Sequence, residues 1–178
     1  MQDETQITAI HRGSGLLFDP PPPETRDRLI RFPLGDQPSV LLPLKQLTQI
    51  LNVERHDVLS IPEMPDCVIG ICTWHTEMLW LVDLNHFIGA SPLLQPSLTR
   101  LTILVIQHDR QALGLAVSQV NEIELQDLQR LLPPPIGLFS PGLLPLIQGV
   151  LPGSSDAVLN LTSLIDCPLW KKHPKGGA

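Results

Sequence analysis

The sequence predicts an all-β domain made of about nine or ten short strands. Apolar runs alternate with turn-forming residues at the regular spacing that is typical of β-sandwiches and barrels. The 19 prolines among the 178 residues are spread through the chain, and each would cost about 3 kcal/mol inside a helix. No stretch alternates a strand with an amphipathic helix as a parallel α/β sheet requires, so we exclude that class.

The first half of the chain begins with a predicted hairpin. Residues 29–32 and 39–44 are apolar runs on either side of the turn-forming residues 33–36. Residues 45–51 fit either a strand or one helical turn, because their periodicity does not decide between the two. Residues 58–61 form the next apolar run, which we predict as a strand.

A second predicted hairpin follows at residues 67–74 and 78–84, with the polar residues His75, Thr76 and Glu77 as its turn. Trp74 and Trp80 bracket this turn and are expected to share one sheet face if both strands and the turn are regular. They fit either two core residues or an aromatic anchor for a partner, since tryptophan is enriched in interface hot spots. A short helix is predicted directly after the hairpin, ended by a glycine.

The second half of the chain carries five more apolar runs that predict strands: residues 101–106, 112–117, 120–125, 146–151 and 157–161. The run at 120–125 alternates apolar with polar residues, as a half-exposed strand does. A proline-rich connection precedes the last strand pair, and one helical turn is predicted after it.

These elements predict one domain over residues 26–168, long enough to bury a core without a metal or a disulfide. Residues 1–25 end in the run Pro20–Pro23 and are predicted to be a flexible, proline-rich N-terminal tail. Residues 169–178 are predicted to be a C-terminal tail.

Charge and composition exclude several functions. A net charge of −6 with only 12 basic residues argues against a nucleic-acid partner. No apolar run reaches the roughly 18 residues of a membrane span, so we predict no direct membrane insertion. The three cysteines form no disulfide framework, and no secretory signal is present, which predicts a cytoplasmic protein with buried thiols.

A search for catalytic groups finds none. The nearest set of potential metal ligands comprises Cys67, Cys72, His75 and His86, and its two cysteines have four residues between them, at the loose limit of zinc-site spacing. Cys72 lies in an apolar strand and not in an electropositive pocket that would lower the pKa of its thiol. Glu122 and Glu124 fit a solvated strand face better than an acid–base pair. We therefore predict no enzymatic activity, no cofactor and no metal.

Residues 68–84 resemble the signature of the CheW-like domain family, which reads roughly G-[VIL]-[IV]-N-L-R-G-x-[VIL]-[VIL]-P-[VIL]-[VIL]-D-L. The agreement needs no gap, and the matching positions are Gly70, Ile71, Met78, Leu79, Leu81, Val82, Asp83 and Leu84. Shorter steps that resemble the family occur in the same order on both sides of the signature. The resemblance covers residues 27–166.

This resemblance implies two five-stranded, SH3-like β-barrel subdomains packed together. It implies a non-enzymatic adaptor that couples methyl-accepting chemoreceptors or photoreceptors to a CheA-type histidine kinase in chemotaxis, phototaxis or pilus-based motility. It also implies a cytoplasmic location in association with membrane receptor arrays. The alternatives are a protein-interaction module of a pilus or secretion assembly unrelated to kinase control, and an enzyme of unknown type.

The chain departs from the family pattern at the predicted turn of the second hairpin. The family residues N-L-R-G are replaced by Thr73, Trp74, His75 and Thr76. His75 stands where the resemblance implies an arginine linked to receptor and kinase coupling, and an imidazole cannot reproduce a guanidinium fork. Thr76 replaces a glycine, so we expect a different backbone conformation in the turn. We predict that Trp74, His75, Thr76 and Glu77 bind the partner.

Overall fold

The structure is a computed structural model that describes residues 26–171. The predicted N-terminal tail lies outside these residues. The strands are β1 (Asp27–Phe32), β2 (Val40–Pro43), β3 (Leu47–Glu54), β4 (Val68–Trp74), β5 (Glu77–Asp83), β6 (Arg100–His108), β7 (Gln111–Val117), β8 (Ile123–Gln126), β9 (Ile147–Val150) and β10 (Ala157–Leu159). The α-helices are α1 (Leu84–Phe87), α2 (Leu161–Ile165) and α3 (Pro168–Lys171), and 3-10 helices occupy Leu44–Gln46, Arg55–Asp57, Leu128–Arg130 and Leu144–Leu146.

The strands form two five-stranded sheets, which confirms the predicted all-β fold. One sheet has the order β3-β6-β7-β5-β4 and is built from one continuous stretch of chain. We call it the inserted barrel, because it lies between β2 and β8 of the other sheet. The other sheet, the terminal barrel, has the order β8-β1-β2-β10-β9.

Most predicted strands are present, with three differences. Residues 45–51 contain both of the alternatives, a 3-10 turn and then the start of β3. Residues 58–61 do not form a strand; only Leu59 makes an isolated bridge, to Ile71. The half-exposed strand expected at 120–125 begins three residues later, as β8.

Each sheet is closed by one isolated β-bridge, and the two bridges are formed in the same way. After β3 the chain makes a 3-10 turn, and Leu59 then exchanges backbone hydrogen bonds with Ile71 of β4 at 2.8 and 2.9 Å. After β8 the chain makes the same kind of turn, and Leu132 exchanges hydrogen bonds with Val150 of β9 at 2.9 and 2.8 Å. In both barrels the bridge joins the segment that follows one edge strand to the other edge strand.

The two barrels have the same architecture in permuted chain order. When the two strand orders are compared position by position, each strand of one barrel has a counterpart in the other. The counterparts are β8 and β3, β1 and β6, β2 and β7, β10 and β5, and β9 and β4. In each sheet, the strands at the third and fourth positions of the strand order are parallel: β7 with β5, and β2 with β10. All other neighbouring strands are antiparallel. Equivalent residues follow from the pairing, so that Leu132 corresponds to Leu59 and Val150 to Ile71.

A glycine faces the closing bridge in each barrel. A Cβ atom on Gly70 would lie 2.3 Å from the Leu59 carbonyl oxygen, and its φ of +147° strains any other residue. A Cβ atom on the equivalent Gly149 would lie 2.7 Å from the Leu131 Cβ and 3.1 Å from the Leu132 oxygen. Both barrels therefore close only because the edge strand carries no side chain at this point.

The largest core cluster draws on both barrels. It contains Ile30 and Phe32 of β1 together with Leu104 and Ile106 of β6. Two further clusters fill the interiors of the inserted and terminal barrels. Successive β6 residues point to opposite faces and both faces are buried at 103–106, which explains the uninterrupted apolar run there.

The core extends beyond the predicted boundary at residue 168. Trp170 in α3 is only 5% exposed, and its indole N–H donates to the Leu164 carbonyl at 2.9 Å. Its ring also meets the edge of Phe87 with a centroid distance of 5.8 Å. Trp170 therefore belongs to the core and not to a tail, because α3 folds back onto α1 and α2; residues 172–178 lie outside the described range.

Candidate functional site

The tip of the β4–β5 hairpin carries all four residues that we predict to bind a partner. Trp74 ends β4, Glu77 begins β5, and His75 and Thr76 form the two-residue turn between them. His75 has a φ of +53°, a left-handed conformation that is uncommon without glycine but that histidine tolerates better than most residues. The left-handed residue of the turn is thus His75 and not Thr76, which occupies the position of the family glycine.

Trp74 fixes the geometry of this tip. Its indole N–H donates to the side-chain oxygen of Gln49 on β3 at 3.0 Å. The ring of His75 lies against it, with a centroid distance of 4.7 Å and an interplanar angle of 60°. Trp74 is half-buried, whereas His75, Thr76 and Glu77 are exposed. The exposed side chains therefore lie next to a tryptophan ring that is held in place by its hydrogen bond to Gln49.

Trp74 and Trp80 do not share one sheet face, because the turn has two residues and not the expected three. The two-residue turn pairs Trp80 with Ile71, and Ile71 and Trp74 are three residues apart on one strand, so they face opposite sides. Trp74 packs against the interior of the inserted barrel, whereas Trp80 packs against the core shared by the barrels. Both tryptophans are half-buried.

A cleft of about 540 Å³ lies beside the hairpin tip. It occupies the seam, by which we mean the gap between the edge strands β3 and β4 of the inserted barrel. Leu51, Val53 and Cys72 supply apolar lining, and Asp57 and Thr73 supply polar lining. Its volume falls in the range of about 300–1,000 Å³ that is common for binding pockets.

The environment of Cys72 disfavours chemistry at this cleft. Burial raises the pKa of the Cys72 thiol, and the negative charge of Asp57 raises it further. Burial likewise raises the pKa of the Cys67 thiol. A reactive cysteine needs the opposite shift, since only the thiolate is nucleophilic. The cleft is therefore suited to binding a ligand and not to nucleophilic catalysis.

In the terminal barrel, an ion-pair network joins β1, β8 and the residue before β10. The Arg31 guanidinium lies 2.7 Å from Glu124 and 2.8 Å from Asp156. Burial alone would lower the pKa of Arg31, but its hydrogen bonds and charge interactions with Asp156 and Glu124 outweigh this and raise it. Glu124 therefore belongs to a half-buried network, which corrects the expectation that it lies on a solvated face.

Sequence reasoning identified the hairpin tip but missed the cleft beside it. Gln49, Asn52 and Asp57 line the cleft and lie on or just after β3, before the hairpin in the chain. They meet β4 only because the barrel closes through Leu59. No signal in the sequence marks these three polar residues as a group.

Two features are absent from residues 26–171, a metal-binding cluster and a membrane-spanning helix. No group of three or more His, Cys, Asp or Glu side chains in this range is arranged to hold a metal ion. No helix in the same range is long and apolar enough to cross a bilayer.

The fold and the site define a class of protein. It is a two-barrel β-protein in which one five-stranded barrel is inserted in the chain between strands of the other. The chain belongs to the CheW-like domain family, whose model matches residues 28–166. This family consists of scaffolding domains of the chemotaxis type and not of enzymes, which confirms that this chain is not an enzyme.

A solved structure has the same fold. It is the scaffolding protein TtCheW from Thermoanaerobacter tengcongensis, which matches with a TM-score of 0.63 and 18% sequence identity. The match covers 76% of this chain and 90% of that protein. The two-barrel fold implied by the resemblance is therefore confirmed. Comparison with curated proteins finds no match.

Proposed function

We propose that this protein is an adaptor that couples methyl-accepting receptors to a CheA-type histidine kinase. The observation that carries the proposal is the family membership, which covers both barrels. The proposed location is the cytoplasm, in association with membrane receptor arrays. The receptor and its stimulus belong to chemotaxis, phototaxis or pilus-based motility.

The hairpin tip is the proposed contact with the kinase. Trp74 offers an aromatic surface of the kind enriched in interface hot spots, and it is held in place by Gln49. His75 and Glu77 beside it are exposed and offer one weakly basic and one acidic group. The exchange of the family arginine for His75 favours a partner surface that does not require a guanidinium fork.

The surface between the barrels is the proposed contact with the receptor. Ile50 on β3 pairs with Leu104 of the shared core and is 45% exposed. Ile123 occupies the equivalent position on β8, pairs with Ile30 of the same core and is 59% exposed. Directly paired residues share a sheet face, so both isoleucines extend the apolar core to the surface. Such a surface fits the apolar face of a helical receptor tip.

The test is a reconstitution with the kinase and a receptor from the same organism. The tagged full-length chain is incubated with the purified CheA-type kinase, with a receptor cytoplasmic fragment, and with both. We expect the chain to retain each partner alone and to increase co-purification of the kinase with the receptor. Failure to retain the kinase at micromolar concentration would overturn the proposal. Retention of pilus or secretion components in its place would support the alternative.

A further inference from the structure

The backbone of Thr73 faces the seam without a pairing partner among the described residues. Ile71 uses both its N–H and its C=O to bond Leu59, on the side of β4 that faces away from β5. In an antiparallel ladder the groups of alternate residues point to the same side, so those of Thr73 point where those of Ile71 point. The residue that would continue the pairing is Asp57, but it lies in the 3-10 helix Arg55–Asp57.

The opposite wall of the seam has the same property. The N–H of Arg55 donates to the Thr99 carbonyl at 2.8 Å, next to β6. Alternate residues of β3 therefore bond β6, and the backbone groups of Ile50 and Asn52 point away from it, toward the seam. Asn52 and Thr73 both line the cleft and are exposed.

The terminal barrel blocks the equivalent edge. Its closing bridge joins Leu132 to Val150, and the residue two positions beyond Val150 is Pro152. Pro152 corresponds to Thr73 and has no N–H to donate. A proline at an edge is a common device against pairing with another strand. The chain therefore protects one of two equivalent edges and leaves the other open.

We propose that the seam of the inserted barrel binds an extended peptide segment of a partner protein as an added β-strand. The segment bonds the Thr73 N–H and C=O and continues the short ladder that Leu59 begins. Such β-strand addition takes its affinity from main-chain hydrogen bonds and its specificity from alternate side chains. This proposal rests on the proposed function for the identity of the partner protein, but not for the mode of binding.

The lining of the cleft defines the chemistry of the segment. Side chains on the inward face of the added strand meet Leu51, Val53 and Cys72, so these positions take apolar residues. Asp57 is the acidic residue of the lining and favours a lysine or arginine next to them. The residue that bonds Thr73 must not be proline, because it has to donate its own N–H.

The test uses random heptapeptides displayed on phage and selected on the full-length chain. Enriched peptides are then synthesised, and their affinities are measured for the wild type and for two matched variants. Thr73→Pro removes the N–H that faces the seam but no hydrogen bond to β5, whereas Thr73→Val keeps the N–H and changes only the side chain. Amide hydrogen exchange of Thr73 and Asn52 is followed in the wild type with and without peptide, so the result does not depend on the folding of either variant.

We expect peptides that alternate apolar and polar residues, with a basic residue and without a central proline. Their affinity should fall by about tenfold or more in Thr73→Pro and stay within about twofold in Thr73→Val. The Thr73 amide should exchange more slowly when peptide is bound. Equal affinities for folded Thr73→Pro and Thr73→Val, an unprotected Thr73 amide, or no enriched peptide would each overturn the strand mode.

The same variants separate this proposal from the proposed function. If heptapeptides bind as expected but the wild type retains no kinase, the strand mode stands and the adaptor function fails. If the kinase is retained equally by the wild type and Thr73→Pro, and Thr73 stays unprotected in that complex and with heptapeptides, the strand mode fails and the adaptor function stands.

Discussion

The two barrels of this protein share strand order, closing bridges and glycines, yet they differ in the side chains at equivalent interior positions and in the length of one hairpin. In the terminal barrel, the half-buried Arg31 guanidinium pairs with Glu124 and Asp156. By strand pairing, the inserted barrel has Val105, Leu51 and Leu79 at the corresponding positions. The inserted barrel therefore has an apolar interior, and the cleft lies at its seam.

The β4–β5 hairpin of the inserted barrel and the β9–β10 hairpin of the terminal barrel differ as well. In the terminal barrel only Gly153 and Ser154 separate the residues that correspond to Thr73 and Met78. In the inserted barrel four residues, 74–77, occupy this interval. The candidate binding residues are therefore the part of the hairpin that the terminal barrel lacks. The inserted barrel thus has the longer hairpin, and this extension carries the residues that we propose for binding.

The largest expected effect concerns closure of the inserted barrel. Gly70→Ala places a Cβ atom 2.3 Å from the Leu59 oxygen at a φ of +147°, so the closing bridge must break. We expect the free energy of unfolding to fall by about 3 kcal/mol or more, measured by urea denaturation. Gly149→Ala, the matched change in the terminal barrel, meets the Leu131 Cβ atom at the longer distance of 2.7 Å and lacks the left-handed φ of Gly70, so it should cost less. A larger loss for Gly149→Ala would show that the two closures are not equivalent.

The helix caps offer a second matched pair. Asp83 is 1% exposed, and its carboxylate accepts from the N–H groups of His86 at 3.2 Å and Leu93 at 2.6 Å. Asn160 caps α2 at the equivalent position and accepts only from Ser163, at 3.0 Å. Asp83→Ala should lower the unfolding free energy by about 2–3 kcal/mol and Asn160→Ala by about 1 kcal/mol. Equal losses of stability in thermal denaturation would contradict a stabilising role for the additional hydrogen bond between Asp83 and Leu93.

The ion pairs of the terminal barrel give a third test. Arg31→Val leaves Glu124 and Asp156 half-buried without their cation, and we expect a loss of about 1–2 kcal/mol because the site is partly solvated. The triple variant Arg31→Val, Glu124→Leu, Asp156→Leu copies the apolar set of the inserted barrel and should recover most of this loss. A triple variant less stable than Arg31→Val would mean that the terminal barrel needs its charges.

The smallest expected effect is a dependence on pH. Burial raises the pKa of both Cys67 and Cys72, so the folded state holds these protons more tightly than the unfolded chain does. The stability that this contributes is complete below the ordinary thiol pKa and is lost as the pH rises beyond about 8.5. Chemical denaturation at pH 7 and above should show this decline, and Cys67→Ala/Cys72→Ala should reduce its slope. An unchanged slope would assign the decline to other groups.

Much of the fold could be predicted, because the strands alternate or run apolar between turn-forming residues. The hairpin of β1 and β2 and the strands β4 to β7 follow from such local patterns. The single bridge at Leu59 could not be predicted, since a short apolar run does not reveal whether it pairs over one residue or four. The permuted repeat was also invisible, because it rests on pairing geometry and on a few residue types such as Gly70 and Gly149.

The candidate site was predicted only in its local part. Trp74 to Glu77 are consecutive, so a hairpin brings them together wherever it lies. The faces of Trp74 and Trp80 depend on the exact number of residues in the turn, which the polar stretch did not define. The partners Gln49 and Asp57 reach the site through barrel closure, a contact between distant segments that no short pattern encodes.

The most direct test of the account compares the two barrels in one binding experiment. Affinity for the CheA-type kinase is measured by calorimetry for the wild type, for Trp74→Ala and His75→Ala at the tip of the inserted barrel, and for Ser154→Ala at the tip of the terminal barrel, with thermal unfolding as a control. We predict that Trp74→Ala weakens binding by tenfold or more, roughly the effect of losing a hot-spot residue, and His75→Ala by less. Ser154→Ala should bind like the wild type. Unchanged affinity for folded Trp74→Ala and His75→Ala, or a loss confined to Ser154→Ala, would contradict the assignment of the binding site to the inserted barrel.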